Sequence, residues 1–507
     1  MPRALLGAPR RSSLIPNASG THGIFTQSSY SFESHSQTNE IRVVNVSDFR
    51  DTLITNDSGA SDPQWLDSSS GHLIWLKSKG NGNTSLVIGE AYGAGETYTA
   101  GTISGPVTNL KITKLENGNI GFAVTGKANP DGTLFNPRDV QEPHSSGKLY
   151  TSLFVRHWDA YVEPQKNTIW YGVLEQAPLS AASKRAGKFS VSSGLTNLIA
   201  VCGLDGVESP IPPFGGSEDF AISPAAIAFV AKDPEVNPAT HTTCSCYYCP
   251  IFNWTSTTTG AQAVRFRKMT TGLNGAMSSP TLSSDGSSLA VLVMREDGYE
   301  SDKNRIVYVP NPWSGEMVEI FRSLDGEGQW DLSPSSLSFA HDQAFLIQVQ
   351  EKGRVVLYRL PLENVESATP AALEKLTHSR SVTDAFAAEK SGRLFVSQSS
   401  LVDDSVWMIL NPTNPGDVKI SFSNSCEGTN FGLSASQVEE LWFAGADDIP
   451  VHAWVVKPCQ FDPNGKYPLA YLIHGGPQAA WNDQWSTRWN PAVFAEQGEF
   501  GGDVKER

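Results

Sequence analysis

The sequence predicts a mainly β fold, a repeating array of short antiparallel units that gives way near residue 436 to an α/β segment. Three observations carry this. A polar turn leading into a short apolar strand recurs roughly every 45 to 60 residues. The composition is poor in charge, at 18%, and rich in Gly, Pro and other turn formers, which suits an all-β chain. Beyond Ser436 the texture changes to longer strands, a glycine turn and a capped helix.

Residues 1–20 read as an N-terminal arm, with Pro16-Asn17 and Gly20 as punctuation. The repeat then runs over 21–435. Its turns and strands are Gly71 before His72–Leu76, Asn117-Gly118 before Ile120–Val124, Pro224 before Ile227–Val230, Asp285-Gly286 before Leu289–Val293, His341-Asp342 before Phe345–Ile347, and Ser391-Gly392 before Arg393–Val396. Four strands with their turns fill such a period, so each unit reads as a propeller blade. One double-length gap, between Gly118 and Pro224, is expected to hold a further unit, which brings the count to a seven-bladed β-propeller. A stack of β-sandwiches is the alternative, but sandwiches need no fixed period.

From Ser436, Val438–Phe443 and Val451–Lys457 read as two strands joined by the loop Gly445–Pro450. Pro468–Ile473 is apolar without alternation, as in a parallel strand buried on both faces. His474-Gly475-Gly476-Pro477 stops it: glycines permit a sharp turn and proline cannot extend a ladder. Asn490 as N-cap, Pro491 at the first helical position and Gly498 past the end mark a helix, with Trp485, Trp489 and Val493 spaced at i, i+4, i+8. Strand, glycine turn and helix form the corner of an α/β-hydrolase where backbone N–H groups supply half of an oxyanion hole. Residues 436–507 are therefore expected to be the leading fragment of such a domain. A whole one commonly takes about 250 residues, against about 70 here.

The net charge of −15 disfavours nucleic acid or an anionic membrane as partner and fits a soluble protein in an acidic medium. No apolar run is long enough to span a bilayer. Met1–Gly7 lacks the apolar stretch of a signal peptide. Sequons at Asn17, Asn45, Asn56, Asn83 and Asn253 permit secretion without proving it. Cys244-x-Cys246-x-x-Cys249 has no second C-x-x-C pair, so a plain strand is expected rather than zinc, with Cys244, Cys246 and Tyr248 on one face. Cys202, Cys426 and Cys459 complete the set, and no disulfide connectivity follows from spacing.

The HGGPQ and WSTRWNP stretches, with GAPRR at Gly7–Arg11, VRHWD at Val155–Asp159, ESPIPPFGG at Glu208–Gly216, YESD at Tyr299–Asp302 and HAWV at His452–Val455, follow one another in family order. On these residues the chain resembles the secreted fungal dipeptidyl-peptidase V branch of the prolyl oligopeptidase family of serine peptidases, from about Leu6 to Gly498. The resemblance implies a secreted enzyme that needs no cofactor, takes short peptides as substrates and releases dipeptides from their N-termini. It also implies acyl transfer by a serine that a histidine activates and an aspartate orients. No G-x-S-x-G occurs in the 507 residues, and no histidine follows His474, so none of the triad is present and the chain as written is expected to be inactive. The match breaks off abruptly at Glu499, as in a truncated gene model.

By the same resemblance His474, Gly475 and Gly476 form the oxyanion-hole region, His474 standing where other branches place a stabilising tyrosine or else merely fixing the turn. A dipeptidase must hold a free α-ammonium, a task for carboxylates, and Glu300 and Asp302 beside Arg295 are the candidates, the alternative being an ordinary ion-pair cluster. Arg156, His157 and Asp159 around Trp158 are expected to form a buried structural network. Two functions follow: a secreted serine dipeptidyl-peptidase, or a non-catalytic propeller remnant or binding module. A downstream G-x-S-x-G in the gene separates them.

Overall fold

Leu289–Val293 shows how the strands of the array form. Five consecutive apolar residues, three of them valine or alanine, are all buried, as a strand covered on both faces requires. The computed structural model describes residues 2–497 apart from 67–70, 94, 142–143, 179–186, 193, 256–264, 342, 413 and 477, and for 414–421 the backbone only. Pro477, Gly498 and the tail after Glu499 lie outside the described residues, as does Asp342 of the expected sixth turn.

Seven antiparallel sheets follow in chain order, and together they make a seven-bladed β-propeller. Blade 1 is built on His22–Ser31, Ser36–Asn45 and Asp51–Thr55; blade 2 on Ala60–Trp65, His72–Ser78, Thr84–Glu90 and Tyr98–Ile103. Blade 3 takes Thr108–Lys114, Ile120–Ala128, Lys166–Gln176 and Phe189–Val191; blade 4 takes Phe220–Ile222, Ala226–Lys232, Cys244–Pro250 and Arg267–Lys268. Blade 5 comprises Met277–Leu282, Leu289–Val293, Arg305–Val309 and Val318–Glu319. Blade 6 comprises Pro334–Ala340, Ala344–Glu351, Arg354–Pro361 and Glu374–Lys375, and blade 7 Ser381–Ala387, Leu394–Ser399, Val406–Asn411 and Asn414–Ser423.

The six strands expected from the sequence are the second strands of blades 2 to 7. The count of seven holds, but the seventh unit does not lie in the double-length gap. The double-length gap is a single blade, in which Ile120–Ala128 pairs directly with Lys166–Gln176 and the intervening chain is an insertion. The seventh unit is blade 1, whose strands are too polar at Ser28–Asn39 to register as an apolar run.

Contacts divide the chain into two compact units: residues 59–345 with 360–372, and residues 1–58, 346–359 and 373–507. In the first, successive sheets bury apolar layers against one another; Phe122, Leu174 and Ile88 fill one layer, and Phe229, Ile227, Tyr171 and Trp254 the next. Cys246 and Tyr248 face one core and Tyr247 and Cys249 the other, the period-two alternation expected of a strand.

In the second unit the N-terminal segment is tied into the sheets. Arg10–Arg11 and Ile15–Pro16 pair with His22–Ser31. Leu14 packs with Phe25, Phe395 and Trp407, and its N–H donates to Ser397 Oγ at 3.1 Å. The Arg11 guanidinium lies over Trp407 at 4.1 Å and Phe422 at 4.8 Å, and burial there lowers its pKa to about 10. Blades 1 and 7 are thereby joined through residues of the GAPRR stretch and those just after it.

Val438–Ala444 and Pro450–Val456 form the expected antiparallel pair. The third strand does not form. Residues 468–473 carry no ladder, and Leu469, Tyr471 and Ile473 are 89%, 71% and 74% exposed. A strand buried on both faces needs a partner at each edge and a layer over each face. Among the described residues no strand pairs with this segment, and of its carbonyls Leu472 accepts a side chain, the Trp481 indole, at 3.0 Å. The helix is Pro491–Ala495, with Asn490 accepting the N–H of Ala492 at 2.9 Å as its cap. Only Val493 of the expected tryptophan stripe lies on it. Trp485 stacks instead on Phe431 at 5.0 Å, in a cluster with Val402, Leu433 and Ala492.

Candidate functional site

Lys352 and Gly353 turn the chain between two strands of blade 6 with left-handed φ of 48° and 71°, and Arg354 follows at the strand's edge. Its guanidinium hydrogen-bonds Glu440 of the hairpin, lies over the Trp454 ring at 4.7 Å and brings Nε to 3.8 Å from Asp483. The Gly353 carbonyl accepts the Asp483 N–H at 2.7 Å. Around these groups is a cavity of about 530 Å³, also lined by Ser379, Arg380, Ser400, Asp403 and Glu427, all within one compact unit.

The charges in this cavity are unevenly satisfied. Burial raises Glu440, but the hydrogen bond and charge of Arg354 outweigh it and leave the carboxyl below its usual range. Asp483 goes the other way: burial raises it more than the Leu401 N–H, at 2.9 Å, and Arg354 lower it. Asp403 is fully buried, with Oδ1 accepting from Ser423 and Ser425 hydroxyls at 3.1 and 2.7 Å. Its Oδ2 and the Arg354 Nε have no hydrogen-bond partner among the described residues. The cavity is thus lined by carboxylates and guanidinium groups together, a mixed-charge surface.

Two indoles connect this wall to the glycine turn. Trp454 Nε1 donates to the Trp481 carbonyl at 2.9 Å, and Trp481 Nε1 donates to the Leu472 carbonyl at 3.0 Å. His474, Gly475 and Gly476 are exposed, and His474 Nδ1 donates to the Gly475 carbonyl at 2.7 Å. Gly476 has φ +132°, and a Cβ there would meet the Gln478 nitrogen at 2.8 Å, so glycine is required. At Gly475 a Cβ would meet nothing.

The other sequence candidates lie in the larger compact unit. Glu300 is exposed. Asp302 is committed to its own loop, accepting the Arg295 N–H at 2.6 Å and lying 3.6 Å from the buried Arg305. Arg156, His157 and Asp159 are not a buried network. They sit on a small exposed hairpin, Arg156–His157 with Ala160–Tyr161, whose tip residue Trp158 has φ +51° and packs on Phe214 at 5.4 Å. The insertion lies outside the blade ladders, so among the described residues no neighbouring strand of a blade covers these side chains. Arg354, Arg380, Asp403, Trp454, Trp481 and Asp483 were missed because no spacing rule links them. The HAWV stretch, which contains Trp454, was the one available signal.

The fold matches solved peptidases of the propeller-plus-hydrolase class. An acylaminoacyl peptidase from Pyrococcus horikoshii superposes with a TM-score of 0.65 at 13% identity, over 98% of this chain and 65% of that one. A complex of an acylaminoacyl peptidase with a chloromethyl ketone gives 0.66 at 12% identity over the same shares. No family model matches the sequence. Dipeptidyl-peptidase 5 of Arthroderma otae and dipeptidyl-peptidase 5 of Trichophyton tonsurans are each 32% identical over 505 residues, 98% of this chain and 66% of theirs. The chain belongs to the dipeptidyl-peptidase 5 family and spans about two thirds of the length of these relatives.

Proposed function

We propose that residues 21–435 admit short peptides to a secreted serine peptidase that releases N-terminal dipeptides, and that residues 436–507 open its catalytic domain. The observation that carries this is the indole relay from Trp454 through Trp481 to Leu472, which ties the glycine turn to the mixed-charge cavity. The relatives' name, dipeptidyl-peptidase 5, supports the reaction class. The N–H groups of Gly475 and Gly476 take half of the oxyanion hole, where preorganised donors stabilise the tetrahedral intermediate. The serine, histidine and aspartate of the reaction are not among the 507 residues, so this polypeptide alone does not turn over substrate. Exposed Asn56 and Asn253 have room for glycans, whereas Asn17 is buried and accepts the Thr21 N–H at 3.0 Å.

For the substrate ammonium we keep Glu300 ahead of Asp302, whose oxygens already serve the loop. Asp403, a buried carboxylate on the cavity wall, is a further candidate. The test has two arms. Residues 1–507 are assayed on a chromogenic dipeptide conjugate; turnover that a serine-directed phosphonate abolishes would overturn inactivity. In a complete relative, the residues matching Glu300 and Asp403 are changed to Gln and Asn, and rates on free and N-blocked peptides are compared. An unchanged preference in both variants would remove both carboxylates from the role. The absence of a G-x-S-x-G also favours a second reading, a peptide-binding module, which predicts saturable binding without turnover.

A further inference from the structure

Cys202 ends the short helix Leu198–Val201, and Cys249 lies in blade 4 on Cys244–Pro250. Their sulfurs are 3.5 Å apart, and the residues are 4% and 0% exposed. Both belong to one apolar core with Tyr171, Ile199, Ile251 and Trp254. Cys246, the nearest competitor in sequence, faces the opposite core. Burial, with the neighbouring Cys202 sulfur adding to it, pushes the Cys249 thiol well above its usual range. A thiolate is therefore scarce once this core has closed, and no oxidant can reach it.

We propose that Cys202 and Cys249 form a structural disulfide when the chain folds in an oxidising compartment. The oxidant is a small or protein disulfide. The thiolate of one cysteine attacks it and releases one thiol. The second cysteine then displaces the other sulfur from the mixed disulfide, losing its proton. Two electrons and two protons leave with the oxidant as two thiols. The sulfurs must close by about 1.5 Å to reach bonding distance. Cys202 has room to follow, because it precedes Gly203, at φ +66° with nothing within 4 Å of an added Cβ, and the chain turns again at Gly206. Cys202 leads out of the helix after blade 3, so the bond joins the link between two blades to blade 4 across 47 residues. The bond must form before the core closes, which makes it a record of where the chain folded.

The full chain is produced once through a secretory route and once in a reducing cytosol, then denatured, alkylated and mapped without reductant. The expected result is a Cys202–Cys249 linked peptide, two hydrogens lighter, in the secreted protein only. Six alkylated cysteines in the secreted protein, or Cys249 linked to any other cysteine, would overturn the proposal. A second measurement covers variants that fold poorly. Unfolding in denaturant with reductant, followed by refolding under reducing conditions, should lower the melting temperature of the secreted wild type by several degrees and leave Cys202→Ala unmoved. Equal responses to reductant in the two proteins would overturn it.

Discussion

Replacing Asp384 with asparagine should stabilise the protein at neutral pH and flatten part of its pH dependence. Asp384 sits in the first strand of blade 7, beside a bulge between Val382 and Asp384. Its half-buried carboxyl accepts the N–H of Ala385 at 2.9 Å. Burial outweighs that bond and raises the carboxyl from 3.8 to about 6. A folded pKa above the unfolded one means that the native state holds the proton longer. The stabilisation is complete below about pH 4 and is lost as pH rises through 6. The gap of about two units, at about 1.4 kcal/mol each, sets an upper bound of about 3 kcal/mol. Residual solvent contact brings the real value below that. Asparagine keeps the shape and the acceptor while carrying no charge. Urea midpoints of wild type and Asp384→Asn at pH 4.5 and 7.5 give a double difference that cancels other raised carboxyls, such as Asp219. The variant should gain more on wild type at pH 7.5 than at pH 4.5. A constant difference at both pH values would refute the argument.

Leu14→Ala should cost about 2–5 kcal/mol, because Leu14 is buried against Phe395 and Trp407; a urea midpoint within error of wild type would contradict this. Trp454→Phe keeps a ring over Arg354 but leaves the Trp481 carbonyl unpaired, a loss of about 1–3 kcal/mol. Hydrogen exchange at Asp483, whose N–H the Gly353 carbonyl accepts, should then speed up, and unchanged protection there would argue against the relay. Gly353→Ala forces a Cβ to 2.5 Å from His452 Cε1 at φ +71°. It should shift the turn that holds the Asp483 N–H and weaken any ligand bound in the cavity. Asn490→Ala should cost about 1 kcal/mol of local stability, seen as faster exchange in the helix Pro491–Ala495 alone.

How much could be read from the residues depended on whether a signal was local. The second strands of six blades were legible because an apolar run after a Gly or Asp turn is a local pattern, as at Asp285-Gly286 and Leu289–Val293. The Asn490 cap was legible for the same reason. Blade 1 was not, since Ser28–Asn39 pairs through backbone groups that composition does not report. Pro468–Ile473 has the pattern of a buried strand without the neighbours that would make it one. The cavity could not be read at all. Arg354, Asp403 and Asp483 come from separate stretches, and only folding brings them together.

The way Arg11 and Ser12 meet Trp407 also sets a schedule for biosynthesis. The indole of Trp407 donates to the Ser12 carbonyl across 395 residues of sequence. A ribosome adding about 5–20 residues per second needs about 20–80 s to deliver the second partner after the first. Throughout that interval Leu14, Phe25 and Val44 have emerged, but the apolar surface they are built to cover has not been synthesised. A nascent chain in that condition is a natural client for chaperones. A bulky fusion at the front of the protein would be carried into the same late docking step, whereas a fusion placed elsewhere would not.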